Sequence, residues 1–93
     1  MEPGGEEAAV LIGRVVKAHG IRGEVVVQVL SDVEGRFDVG TDVVVGDTHR
    51  TIAASRAHQG RLLLAFEGID DRNAAERLRG ADVLGAAVDL EDS

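Results

Sequence analysis

The sequence predicts a small, mainly β domain, a sandwich or barrel of six short strands with one short helix. Val and Ala dominate the apolar residues, while Phe37 and Phe66 are the only aromatics. A β-branched side chain packs best on the pleated, half-buried surface of a sheet. Glycine-bearing polar turns interrupt the chain at short intervals, the punctuation of hairpins. A chain of 93 residues buries only about 64% of its unfolded surface, which supports one core and no second.

The elements follow in order. Residues 1–9 carry Pro, Gly and Glu without apolar periodicity and are expected to form a flexible acidic tail. The run Val10–Lys17 reads as a first strand, with Gly13 inside it marking a bulge or a close approach of two backbones. Ala18-His19-Gly20-Ile21-Arg22-Gly23 is a tight connection, in which Gly20 and Gly23 supply the positive φ that a sharp turn needs. Glu24–Leu30 is the second strand. Ser31–Arg36 is polar turn material, and Phe37 behind it is large enough to plug one end of a core.

Asp42–Gly46, Thr48–His58 and Arg61–Glu67 are three further strands, joined by the turn residues Gly46-Asp47 and Gln59-Gly60. The period then changes. In Asp70–Gly80 an Asp can cap the first turn, Ala74, Ala75 and Leu78 share a face, and Gly80 stops the helix. Ala81–Leu90 returns as the last strand. Leu62-Leu63-Leu64 fits a strand buried on both faces better than a docking patch.

Composition narrows the function. The chain has no Cys, which excludes disulfides, thiol catalysis and Cys-bearing zinc sites. His19, His49 and His58 lack the helical spacing of a zinc hydrolase, and none of Ser31, Ser55 and Ser93 stands in a nucleophile elbow. No catalytic residue, metal site or cofactor is expected. Gly20 and Gly23 resemble part of a phosphate-binding loop, but a strand follows them where such a loop needs a helix. The longest uncharged run is too short to span a membrane and the acidic start is unlike a signal peptide, so a cytoplasmic protein is expected.

The net charge is −7. Of 17 acidic residues, three lie in the head (Glu2, Glu6, Glu7) and three in the tail (Asp89, Glu91, Asp92), leaving eleven against ten basic residues in between. A nearly neutral body with acidic ends favours a protein surface or a few directed RNA contacts over a broad RNA clamp. The candidate binding group is Lys17, His19 and Arg22 on one loop, joined by Arg14 and Arg36. Arg suits planar recognition of carboxylate or phosphate. The plainer alternative is a turn that carries exposed charges and binds nothing. For Arg72, Arg77 and Arg79 a solvated helix face is the simpler account.

Gly13-Arg14-Val15-Val16-Lys17-Ala18-His19-Gly20-Ile21-Arg22-Gly23-Glu24-Val25 resembles the N-terminal domain of the RimM family of bacterial ribosome maturation factors. Ser31-Asp32 followed by Phe37, and the stretch Phe66–Gly80, resemble further landmarks of that family in order and spacing. The resemblance spans nearly everything from Val10 to Leu90. It implies a six-stranded antiparallel β-barrel, like the barrel domains of translation elongation factors, with a short helix over one end. It also implies a non-catalytic assembly factor that binds the immature small ribosomal subunit and its head protein nineteen and supports processing of the small-subunit rRNA. Residues 10–90 would be this domain and 91–93 the start of a linker to a second, PRC-type barrel absent from this chain. A monomer is expected. The rival expectation is a scaffold that packs on that second barrel while the latter carries ribosome binding.

Overall fold

The structure, a computed structural model, describes residues 9–31 and 36–86. The expected tail up to residue 8, most of the turn after β2, the last four residues of the expected final strand and the expected linker lie outside these residues. Six strands and one helix follow in chain order: β1 (Ala9–His19), β2 (Glu24–Val29), β3 (Asp42–Val45), β4 (Thr48–His58), β5 (Arg61–Phe66), α1 (Arg72–Glu76) and β6 (Asp82–Ala86). The strands close into a barrel in the order β1-β2-β5-β4-β3-β6, every neighbouring pair antiparallel. Among the described strands, closure leaves none at a sheet edge.

Closure depends on β1, which pairs with β6 through its first half and with β2 through its second. Its register shifts between Leu11 and Gly13 on the β6 side and between Val15 and Lys17 on the β2 side. Such bulges bend a strand and raise its twist, letting one strand serve both seams of a barrel. Gly13 is buried at the first shift, where a Cβ would lie 2.9 Å from the Gln28 carbonyl oxygen and 3.3 Å from Phe37 Cζ. The close approach expected at this glycine is therefore present.

Side-chain alternation sends Ile12, Val15, Val25, Val27, Val43, Val45, Ile52, Leu64, Phe66 and Val83 into one aliphatic core. Phe37, Ile69 and Ala75 join that cluster from outside the strands. Phe66 is the largest fully buried side chain, and truncating such a residue to Ala costs about 3–5 kcal/mol. Leu63 and Leu64 are both buried, one on each face of β5, as expected for the Leu triplet.

The helix is shorter than the expected Asp70–Gly80. Asp71 caps it by accepting a 2.8 Å hydrogen bond from Ala74 N. After Glu76 the chain tightens, with Leu78 N donating to Ala75 O and Arg79 N to Glu76 O, the i→i−3 pattern of a 3₁₀ turn. Tightening lets Gly80 N donate to Val15 O and Val15 N to Ala81 O, both at 2.8 Å. The barrel thus takes over the backbone groups that further helical turns would have used.

Candidate functional site

Paired His19 and Glu24 close the β1–β2 hairpin, and Gly20–Gly23 form its tip. Gly20 has φ +69° and Gly23 φ +93°. Only Gly23 also needs its missing side chain: a Cβ there would overlap the Ile69 carbonyl and lie 3.1 Å from Asp71 N. The hairpin tip therefore rests directly on the backbone that leads into α1. Arg72 fastens the other side, its Nη1 donating to the Gly20 carbonyl at 2.9 Å while its Nε donates to Glu76 at 3.1 Å. Arg72 was expected on a solvated helix face; half of that role holds, and the other half is a clamp on the loop.

With its backbone held at both ends, the tip presents Ile21, 77% exposed, and the exposed Arg22. Guanidinium and apolar side chain on a fixed backbone suit recognition of another surface, since little ordering entropy remains to be lost on binding. Composition and charge counting passed over Ile21. Its available signal was an apolar residue between two glycines, where neither strand nor helix periodicity could bury it.

The expected binding group is only partly brought together. His19 and Arg22 share the hairpin with Gly20 and Gly23, and Lys17 is exposed nearby on β1. Arg14 instead turns to β6, its Nε 3.0 Å from Asp82 Oδ1. Arg36 lies by Gly85 and Ile12, with Nη1 3.2 Å from the position of a Cβ on Gly85. Ile12 and Gly20 stand about 25 Å apart along an extended strand at ~3.3 Å per residue, so Arg36 belongs to the opposite end of the molecule from the hairpin tip.

His19 also has a partner unforeseen in the sequence. Its ring meets that of His58 edge-on, centroids 5.0 Å apart. Among the described residues no group of three His, Asp or Glu side chains is placed to hold a metal ion. No helix among them is long and apolar enough to cross a membrane.

Comparison with known proteins gives this surface a context. The model of the RimM N-terminal domain family matches residues 10–90. The ribosome maturation factor RimM of Corynebacterium efficiens is 49% identical over 86 residues, covering 87% of this chain and 51% of that protein. The RimM of Frankia casuarinae is 44% identical over 92 residues, with 89% and 51% covered. The chain thus spans about half the length of the curated relatives it matches. The solution structure of the N-terminal domain of RimM from Thermus thermophilus superposes with a TM-score of 0.71 at 25% identity, covering 90% of this chain and 92% of that one. A crystal structure of a RimM protein from Pseudomonas aeruginosa gives 0.71 at 26% identity, covering 91% and 52%. Barrel, hairpin and helix are therefore those of a known kind of domain, and the chain belongs to the RimM N-terminal domain family.

Proposed function

We propose that this chain is a non-catalytic assembly-factor domain that binds the immature small ribosomal subunit in the cytoplasm through the hairpin Lys17–Glu24. The observation that carries the reading is the hairpin tip, locked by Gly23 against Ile69 and by Arg72 on Gly20, with Ile21 and Arg22 left facing solvent. The similarity to ribosome maturation factors supports a ribosomal partner. The small-subunit head protein nineteen and the neighbouring rRNA are the partners this reading names, and support of 16S rRNA processing is the consequence. Arg22 would meet a carboxylate or phosphate, and His19 would steady the base of the hairpin through His58. In a pull-down of small-subunit particles, Arg22→Ala is expected to weaken binding with the melting temperature unchanged. Undiminished binding removes the hairpin from the interface.

One observation favours a second role beside the first. Leu11, Val29 and Leu30 are 43%, 38% and 45% exposed, and Leu30 N donates to Ile12 O at the start of β1, so they gather at the end of the barrel remote from the hairpin. An apolar patch of this kind suits packing against a second domain, here the PRC-type barrel expected from the resemblance. The isotope-labelled domain titrated with protein nineteen separates the two roles. Shifts at residues 17–24 support recognition by this domain, and their absence leaves it a scaffold.

A further inference from the structure

Alternation along the strands puts two rungs of side chains on the outer face of β1-β2-β5-β4. One rung reads Lys17, Val26, Leu63, Arg56, each paired with the next. In the rung beside it Arg14 pairs with Gln28 and Arg61 with His58. Across these four strands the two rungs carry four cations, Lys17, Arg14, Arg56 and Arg61, beside the imidazole of His58 and no carboxylate; on β6 the Arg14 rung continues into Asp82, its ion-pair partner. The single acid on the following rung, Glu24, reaches Arg56 at 3.6 Å. Among the described residues Lys17 and Arg61 form no ion pair. On the far side of the barrel acids are present instead: Asp42 opens β3 and Asp47 follows it. A chain of net charge −7 has therefore gathered positive charge on one face.

That face is also concave, with an apolar centre. The rings of His19 and His58 meet across both β2 and β5, three strand spacings of ~4.8 Å that two imidazoles span only where the wall bends inward; the longer Glu24 and Arg56 side chains meet across β5 alone. Val26 and Leu63 lie between them, 2% and 1% exposed although they point away from the barrel core. Cations around an apolar floor act through a low local dielectric, which strengthens their attraction for an anion.

Resting on the ribosomal reading above, we infer that this trough binds the phosphate backbone of RNA, with Lys17, Arg61 and Arg56 as the phosphate contacts. Charge complementarity selects the partner: a linear polyanion matches cations spread over four strands, whereas a basic ribosomal protein would be repelled. The hairpin tip Gly20–Gly23 and the trough then adjoin at Lys17 and are otherwise two surfaces, the first available to protein and the second to RNA.

The test is fluorescence anisotropy with a labelled RNA hairpin of arbitrary sequence, at several salt concentrations, with a polyglutamate peptide as competitor. The double variant K17E/R61E is expected to lose about tenfold or more in affinity and to flatten the slope of log K against log salt by roughly 1–2, in line with two lost phosphate contacts. Arg79→Glu, a charge reversal beyond α1, should leave binding near wild type, and circular dichroism confirms that each variant folds. Equal affinity for K17E/R61E and R79E, no RNA binding by the wild type, or displacement of RNA by polyglutamate at matched charge would each overturn the inference. Particle pull-downs with R22A report on the hairpin alone, so failure of the ribosomal reading and failure of the trough give different results.

Discussion

Replacing Gly23 by Ala, with Gly20→Ala as its internal control, isolates the contact that fixes the hairpin. Both glycines have positive φ, and an L-residue in that region costs about 1–2 kcal/mol. Both substitutions also restrict the unfolded chain by a similar amount, about 0.4–1 kcal/mol, so these two contributions largely cancel between the variants. What differs is space. A Cβ on Gly20 meets nothing within 4 Å, whereas one on Gly23 overlaps the Ile69 carbonyl oxygen, lies 2.8 Å from the Ile69 carbonyl carbon and presses on Asp71 N. Those atoms are backbone, and moving them lifts Ile69, only 6% exposed, from the core and disturbs the Asp71 cap. Overpacking of this kind costs about 1–3 kcal/mol. Gly23→Ala should therefore be less stable than Gly20→Ala by about 1–3 kcal/mol, or roughly 5–20 °C in melting temperature for a domain of this size. Urea and thermal unfolding followed by circular dichroism measure it. A difference below about 0.5 kcal/mol would refute the claim that the tip is seated on the α1 entry.

Three smaller perturbations test neighbouring parts of the same account. Arg72→Ala removes the clamp on the Gly20 carbonyl; it should cost only about 0.5–1 kcal/mol, yet hydrogen exchange at Ile21–Gly23 should quicken relative to β2. Asp71→Ala leaves the first turn of a five-residue helix uncapped and should cost about 0.5–2 kcal/mol by urea unfolding, with Asp71→Asn recovering most of it. Asp82→Asn breaks the ion pair with Arg14, whose side chains are 54% and 51% exposed; such a pair contributes about 0.2–1 kcal/mol, so the melting temperature should fall by only a few degrees and less at high salt.

Much of the fold was legible because its signals are local. The glycine-bearing turns marked where β1, β3 and β4 end, to within a residue or two, and the Leu62-Leu63-Leu64 run marked a strand buried on both faces. Gly13 announced a close approach and makes one. The helix came out short because its last turns were competing with Val15 for the same backbone hydrogen bonds, a contest invisible in a window of eleven residues. The candidate site was legible only at its tip. Sequence neighbours such as Arg14 and Lys17 share a face of β1, but Arg14 has an acceptor on β6, and Arg36 lies by Gly85 at the far end of the barrel.

By itself the sequence determined the strands, their turns, the aliphatic core and the membership in a family, because each rests on spacing along one chain. Tertiary structure alone decided that β1 serves both seams, that Arg72 holds a carbonyl 52 residues away, and that Lys17 faces Arg56 across Val26 and Leu63. These are consequences of closure and register. Two bulges in one strand set which side chains converge, and periodicity fixes a side chain's face without fixing its neighbours across the sheet.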